Sequence, residues 1–510
     1  MGQDQEKQNK KEQEQNLSKD LQKNLELFNR LFQDCDDVIR RPMRLGRDQK
    51  VDCFVAYVEV AVSNMMLQDS VIGKLINRMW DMTRDEIYEY IRCNGLGISD
   101  VKELPTMETT VAALMAGNAI MFIDGYDKAI KISSKGYPNM GVPKAESEKV
   151  LRGSKEGFAE AEKVNTALIR KRIRDPRLKV KEQPIGQRSN TMVALVYMDD
   201  LVYPSLLENI TSRLSEFEID GVLDSGVIEQ LTEENWRSPF PQFQTTERPD
   251  RAAMAVLEGR VVLISDNSPV ALILPTNYNS FFQASDDYYN RFEIVSFIRI
   301  LRYVAAVLAM GLPGLYLAVT GFHTQILPTE LILSFAEARS GVPFPGVVEI
   351  LLMELAFELL REAGVRLPGA IGNTIGIVGG LIIGQAAVTA NLVSPIVVIV
   401  VALTALCSFS IPNEEFSTAF RLLKFFLIFM SAWLGIYGWM AGLLAILIHL
   451  SQLKSFGIPY LMPFVASDMN SYHDERDSIV RAPVFRMIRR PIFARRDARV
   501  RFRGKHGDKE

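Results

Sequence analysis

The sequence is poor in the residues that usually carry covalent cross-links, metal binding and acid–base catalysis. Only four cysteines and four histidines occur among its 510 residues. None of the cysteines forms a CxxC pair, so neither a disulfide framework nor a zinc site is expected; they are Cys35, Cys53, Cys93 and Cys407. The four histidines show no spacing typical of a catalytic triad or of a metal site. We therefore expect a protein that is not an enzyme and that binds no cofactor or metal.

The charge is nearly balanced overall but is unevenly distributed. A formal net charge of −3 predicts no general affinity for nucleic acid. Charged residues are frequent up to about residue 290, whereas the sequence from there to about 465 is mostly apolar. Residues 478–510 hold eleven Lys or Arg against three Asp or Glu. The first sixteen residues lack an apolar core, so we expect a polar leader there and not a cleaved secretion signal.

The N-terminal half contains an internal duplication. A strand-like run followed by helical patterns begins near residue 51 and again near residue 191. Residues 112–132 align without a gap over 254–274, and each stretch predicts a helix that stops at a glycine before a β-hairpin. The sequence therefore predicts a cytosolic α+β or α/β region with two related subdomains.

The domain boundaries follow from this duplication. We predict a polar leader with an amphipathic helix, subdomain 1, a connecting segment and subdomain 2, at 1–45, 46–145, 146–187 and 188–290. The basic run at 165–181 in the connecting segment is expected to be a solvated helix, with contact to membrane phosphates or to a partner as the alternative.

The apolar half is long enough to cross a membrane several times. A spanning helix needs about 20 mainly apolar residues. Uncharged tracts predict an all-α transmembrane domain over 291–465, with four spans near 297–320, 369–391, 394–412 and 423–450. The last tract fits one tilted helix, and a re-entrant pair around Gly435–Gly442 is the alternative. A basic cytosolic tail is expected over 466–510.

An acidic helix over 346–363 interrupts the apolar half. Glu354, Glu358 and Arg361 share one of its faces because they are spaced by about one helical turn. A carboxylate in lipid is costly unless it faces water or a partner. The helix therefore either lies at the membrane interface, which we favour, or turns its acids towards a polar cavity.

The basic tail and the lack of an export signal predict that both termini are cytoplasmic, which requires an even number of spans. Four is the expected number. Six spans result if the acidic helix and a split last tract both cross.

One helix of the apolar half combines a ridge of small residues with polar side chains. Glycines recur every four residues and would allow close helix packing or oligomerisation, with a partner in the same chain or in another subunit; they are Gly372, Gly376, Gly380 and Gly384. A neighbouring face and the helix ends carry polar residues, namely Asn373, Thr374, Gln385, Thr389 and Asn391. These either hydrogen-bond between helices or line an ion route, gated by Val388 and Val393 and bordered by Glu354 and Glu358.

Several strings, taken together in order and spacing, resemble one known family. They are SPFPQ (238–242), ERPD (247–250), EGRVVLISDNSPVALILP (258–275), LPTELILSFAEARSGVPFP (327–345), LREAGVRLPGAIGNTIGIVGGLIIGQAAV (360–388) and VIVVALTALCSFSIPN (398–413). They resemble the GerA-type A subunits of spore germinant receptors.

The resemblance implies a nutrient-receptor subunit in the inner membrane of the bacterial spore. It implies a permease-like B subunit and a lipoprotein C subunit as partners, and a homo-oligomer that forms or gates an ion channel. Two other classes stay open. One is a secondary transporter for a small nutrient, although transporters repeat their membrane helices and the repeat here lies in the N-terminal half. The other is a scaffold subunit without its own pore.

Overall fold

A computed structural model describes residues 16–46, 51–62, 81–92, 101–133, 136, 142–146, 148–150, 152–366, 379–380, 382–470 and 472–501. The chain divides into two compact units. The described residues up to 234, those of 243–276 and those from 484 onwards form the first unit. Residues 235–242 and 277–483 form the second.

The first unit contains two five-stranded sheets of the same strand order in the described part. The first subdomain consists of α1 (Leu21–Leu31), β1 (Val38–Leu45), β2 (Val51–Val58), α2 (Arg84–Arg92), β3 (Val101–Leu104), α3 (Met107–Met115), β4 (Ala119–Ile123) and β5 (Ala129–Ile132). Its sheet has the order β1-β2-β4-β5-β3, with antiparallel pairing throughout.

The second subdomain repeats this arrangement. It consists of α4 (Glu162–Arg172), β6 (Leu178–Ile185), β7 (Thr191–Met198), α5 (Pro204–Ser215), α6 (Ser225–Thr232), β8 (Gln244–Thr246), α7 (Pro249–Leu257), β9 (Val261–Ser265) and β10 (Ala271–Leu274). The sheet order is β6-β7-β9-β10-β8, again antiparallel. Helices α3 and α7 end just before Gly117 and Gly259, whose φ angles of 83° and 88° suit glycine. Each then leads into a hairpin, as a duplicated unit would.

The first subdomain begins earlier than the sequence-based boundary at residue 46. Helix α1 buries Leu21, Phe28 and Leu31 against the first sheet. The Phe28 ring lies 5.9 Å from that of Phe54 and 5.8 Å from that of Phe122. Strand β1 adds eight residue pairs to β2. Both elements therefore belong to the folded subdomain because they supply part of its core and its edge strand.

The basic run at 165–181 is not a solvated helix, which corrects our expectation. Arg170 on α4 is fully buried, and its Nε and Nη2 atoms each lie 2.7 Å from an oxygen of Asp37 in the first subdomain. The chain at 34–36 also joins edge strand β6, since the Asp36 amide donates to the Val180 carbonyl at 2.9 Å. Part of the basic run thus forms the joint between the two sheets.

The C-terminal segment 484–501 packs on the second subdomain, so residues 466–510 do not form one separate tail. A Cβ atom on Gly259 would lie 2.6 Å from the Ala494 Cα atom, so only glycine admits the segment here. The Arg260 guanidinium lies 3.9 Å from the ring centre of Phe493. The Arg495 amide donates to the Leu201 carbonyl at 2.9 Å.

The second unit is mainly helical. Short 3₁₀ turns at Tyr278–Phe281 and Ser285–Tyr288 lead into α8 (Phe292–Phe322), α9 (Thr329–Ala338), α10 (Gly346–Arg366), α11 (Pro395–Phe409) and α12 (Glu414–Gln452), followed by a two-stranded ribbon, β11 (Lys454–Ser455) and β12 (Ile458–Pro459). Residues 382–389 are also helical. Within the described ranges, α8 and α12 are the two helices long and apolar enough to cross a membrane, and α11 is a shorter apolar helix.

Helix α12 folds back on itself at Gly435, which corrects the expectation of one tilted helix over 423–450. Gly435 has φ 61° and ψ −136°. Beyond it, a Cβ atom on Gly438 would collide with the Met430 carbonyl, and one on Gly442 would lie 2.6 Å from Leu427. In a continuous helix these pairs would be about 12 and 22 Å apart. Glycines thus permit both the reversal and the close packing of a first arm, 414–434, on a second, 436–452.

Helix α8 packs against both arms of this hairpin. A Cβ atom on Gly314 would lie 2.9 Å from the Ser431 hydroxyl on the first arm. The Trp439 indole on the second arm donates to the Gly311 carbonyl at 2.9 Å. At the end of α8, the Phe322 side chain meets Gly435 at the reversal. The helix therefore runs parallel to the first arm.

The reversal predicts a specific cost for Gly435→Ala. An L-residue at this backbone conformation costs about 1–3 kcal/mol, and the added Cβ atom also meets Phe322. We expect a clear fall in the thermal unfolding midpoint of the purified chain in detergent. Gly321→Ala in α8 is the matched control, because a Cβ atom there meets nothing within 4 Å. Equal midpoints for the two variants would contradict this account of the reversal.

Candidate functional site

The most unusual feature of the helical unit is a row of charged side chains between α10 and the first arm of α12. Glu354 is 2% exposed and forms an ion pair with Lys424, which is 4% exposed. One turn along, Glu358 lies 2.8 Å from Arg421 and 3.5 Å from Lys424. We call these four residues the ion-pair row. They lie on facing sides of the two helices because each pair is spaced by three or four residues.

A further ion pair lies beyond the ion-pair row, at the exposed end of the same two helices. Arg361 lies 3.3 Å from Glu414, whose side chain is 69% exposed. The Arg361 guanidinium also lies 5.0 Å from the ring centre of Phe409 on α11. Burial of the charged groups thus increases from Glu414 towards Glu354, and the need for a partner increases with it.

Placement of α10 at the membrane interface, which we favoured, requires its acidic face to lie free at a surface. In the structure this face is not free. Its carboxylates turn inward and meet basic partners on a neighbouring helix, which neutralises charge inside a mostly apolar bundle. One oxygen of Glu354, Oε1, is buried and has no hydrogen-bond partner among the described residues. The site therefore retains one unused acceptor beside the Lys424 ammonium group.

A third buried carboxylate fixes the opposite end of α10. Glu349 is fully buried and lies 3.0 Å from Arg339. Its second oxygen accepts from the Ser394 amide at 2.9 Å, immediately before α11. A carboxylate at a helix N-terminus is stabilised by the free amide groups there. Glu349 therefore sets the position of α10 against the start of α11.

The predicted glycine ridge is only partly within the described residues. Gly372, Asn373, Thr374 and Gly376 lie outside them. A Cβ atom on Gly380 would lie 3.9 Å from Phe357 of α10, and one on Gly384 would lie 3.3 Å from Val398 of α11. These two glycines therefore pack against helices of the same chain.

The polar residues next to the ridge are exposed. Gln385 and Thr389 both face outward, and the Thr389 hydroxyl donates to the Gln385 carbonyl at 2.8 Å. Val388 is half-buried, whereas Val393 is 1% exposed and lies in the same apolar cluster. Asn391 is exposed at the turn before α11, with φ 52°. Glu354 and Glu358 belong to the ion-pair row and are directed to α12, so the structure does not group them with Gln385 and Thr389.

Arg421 and Lys424 were not predicted as site residues. The last span was placed near 423–450, and no acidic partner was assigned to Lys424 within it or to Arg421 just before it. A usable signal was present, because Glu354 and Glu358 have the same one-turn spacing as Arg421 and Lys424 and the opposite charge. The described residues contain no group of three or more His, Cys, Asp or Glu that could hold a metal ion.

The chain matches one family over most of its length. The matching family is described as Bacillus/Clostridium GerA spore germination protein, and residues 26–493 are matched. The chain belongs to the GerA family. This membership supports a role in spore germination.

Individual relatives agree with the family match. Spore germination protein KA of Bacillus subtilis strain 168 is 37% identical over 95% of this chain and 88% of its own length. Spore germination protein A1 of the same strain is 37% identical over 90% and 93%, respectively. A Bacillus subtilis protein named uncharacterized membrane protein YfkQ is 40% identical over 94% and 92%.

One solved structure is also similar to this GerA-family chain. It is the crystal structure of the N-terminal domain of the A subunit of the Bacillus megaterium spore germinant receptor GerK3, with 26% sequence identity and a TM-score of 0.41. The similarity covers 52% of this chain and 98% of that domain.

The ion-pair row predicts a large cost for removing its buried cation. Lys424→Met leaves the Glu354 carboxylate buried without its partner, which costs about 3–5 kcal/mol. The double variant Lys424→Met/Glu354→Gln should recover most of that loss, because no buried charge is then left without its partner. Both are measured by thermal unfolding of the full chain in detergent.

Arg361→Met provides the matched control, since its partner Glu414 is solvent-exposed and such pairs contribute less than about 1 kcal/mol. The account is wrong if Lys424→Met and Arg361→Met lower the unfolding midpoint equally, or if the double variant is no better than Lys424→Met.

Proposed function

We propose that this protein is a non-enzymatic membrane subunit of a spore germinant receptor, and that several copies assemble to form or gate an ion-release channel. The observation that carries the channel proposal is the polar pair Gln385 and Thr389. Both are exposed on a helical segment whose small residues Gly380 and Gly384 are already packed inside the chain. In an oligomer within lipid, exposed polar side chains are favoured where they face water or another subunit.

We propose a multi-pass arrangement with six crossings and both termini in the cytoplasm. Helix α8 starts at the same end of the helical unit as the first arm of α12, and Glu349 and Arg361 orient α10 in the reverse direction. The helical residues 382–389, α11 and the two arms of α12 then alternate in direction. An even number of crossings agrees with a basic C-terminal region on the cytoplasmic side.

Within this arrangement the ion-pair row holds α10 against the first arm of α12. The carboxylates on α10 are compensated by cations on α12, so α10 can cross with its acids turned away from lipid. The row thereby positions Gly380 and the helical residues 382–389, since Gly380 contacts Phe357 of the same helix α10. Val388, half-buried next to Thr389, provides an apolar side chain where local drying would close the route, whereas Val393 is buried in the apolar cluster and does not face it.

The proposed partners are further copies of this chain, a permease-like B subunit and a lipoprotein C subunit, in the inner membrane of the spore. The GerA family match and relatives named as spore germination proteins support this proposal. The B subunit would bind the nutrient, and this chain would convert that signal into ion release. No chemical step is required of this chain.

The channel proposal predicts the effect of removing the exposed polar pair. The full chain is reconstituted in liposomes that contain a fluorescent potassium indicator, and the rate of ion flux is measured. Gln385→Leu/Thr389→Val should lower that rate at least tenfold without lowering the unfolding midpoint, because both side chains are exposed and their loss leaves an apolar pore wall.

Ile382→Leu is the matched control, since Ile382 is exposed on the same segment and is already apolar. Unchanged flux in the double variant would contradict the assignment of Gln385 and Thr389. Flux that appears only after the partner subunits are added would favour the scaffold function, in which another subunit supplies the pore.

A further inference from the structure

The joint between the two sheets of the first unit depends on cations of α4. Arg170 reaches Asp37, as described above, and Lys163 reaches Glu59 just after β2, with 2.6 Å between Nζ and the nearer carboxylate oxygen. Both carboxylates belong to the first subdomain and both cations to the second. A single helix therefore contributes two ion pairs to the joint between the two sheets.

Glu162 lies beside these pairs and forms no ion pair with any residue in the described ranges. Its side chain is buried, with the residue 2% exposed, and neither carboxylate oxygen has a hydrogen-bond partner among the described residues. Its backbone amide donates to Asp266 at 3.1 Å, which anchors the start of α4. A buried polar group without a partner carries a large desolvation cost when it is charged.

The charged groups that act on Glu162 come from both subdomains. Helix α4 supplies Lys163, β6 supplies Glu182, and the turn after β9 supplies Asp266. Across the joint stand two further carboxylates, Asp37 and Glu59. Arg170 is fully engaged with Asp37, and Lys163 is shared between Glu59 and Glu182 at 2.6 and 3.6 Å. A charge on Glu162 would therefore add a negative group where carboxylates already outnumber cations.

We propose that Glu162 is a proton-binding site that keeps the two sheets joined when it is protonated and loosens the joint when it ionises. The ionised form draws Lys163 away from Glu59 and repels Asp37, so both pairs across the joint weaken together. The bound ligand is a proton, since the described residues around Glu162 form no set of side chains able to hold a metal ion.

The direction of the pH dependence follows from the buried carboxyl. Burial, with Glu182 as the next cause, raises the pKa of Glu162 from its ordinary 4.5 to about 8. Between those values the folded chain holds a proton that the unfolded chain releases. The contribution of this group to stability is therefore complete at low pH, falls as the pH rises above 4.5, and levels off above about 8.

Cys35 provides a reporter for the joint itself. It is 2% exposed, and its Sγ atom lies 3.5 Å from the Leu178 carbonyl of the second subdomain. In a full-length chain with Cys53, Cys93 and Cys407 replaced by Ala, the rate of thiol modification by N-ethylmaleimide reports opening. The labelling rate is compared between the protein that retains Glu162 and the Glu162→Gln variant from pH 6 to pH 9. Both rates depend on the thiolate fraction of Cys35 in the same way, so this dependence cancels in their ratio.

We expect the two rates to be similar at pH 6 and the Glu162 protein to react at least threefold faster than Glu162→Gln at pH 9. Glu160 is an exposed neighbour of Glu162, and the Glu160→Gln variant should show the same labelling rates as the protein that retains Glu162. In a chain whose only cysteine is Cys53, which is buried within the first sheet, the labelling rate at pH 9 should be the same with and without Glu162→Gln.

Three outcomes would overturn the proposal. One is a ratio that does not change with pH. Another is fast labelling of Glu162→Gln at pH 6, because the amide resembles the protonated carboxyl. The third is an equal rise in Cys53 labelling, which would mean that the whole subdomain unfolds and that the joint does not open locally. The proposal is independent of any channel function of the second unit.

Discussion

The pairing of Lys424 with Glu354 is the interaction on which the arrangement of the helical unit depends. Helix α10 carries carboxylates into a bundle lined by apolar side chains, and an unpaired charge there would be too costly to keep. Pairing with a cation on α12 makes the helix compatible with its surroundings and also fixes its rotation. Once α10 is set, Phe357 and Glu349 determine where the segment at 380 and the start of α11 lie.

A buried ion pair also fixes the arrangement of the first unit. There Arg170 and Asp37 join two sheets that each have their own core. Buried ion pairs contribute little net stability compared with apolar packing, but they tolerate few alternative geometries. Two similar subdomains could pack in several registers. A bidentate pair restricts them to one, so charge determines the arrangement and apolar burial provides most of the stability.

The features predicted from the sequence are those that depend on local rules. The two hairpins and the helix stops at Gly117 and Gly259 follow from turn chemistry, and they recur because the unit is duplicated. The reversal at Gly435 was only an alternative, because a glycine in an apolar tract fits a straight helix equally well and its φ angle depends on tertiary packing. The burial of Arg170 and Lys424 was missed for a related reason. Each partner lies more than sixty residues away along the chain, and the spacing of charges within one helix does not by itself show which helix will pack against it.

The packing of residues 484–501 against Gly259 and Arg260 has a consequence for the order of biosynthesis. These residues follow the second unit in the sequence, whereas the surface that receives them is complete some 210 residues earlier. At about 5–20 residues per second the ribosome needs roughly 10–40 seconds for that interval. During that time all the helices of the second unit emerge. The first unit therefore reaches its final form only after the entire helical region has been translated.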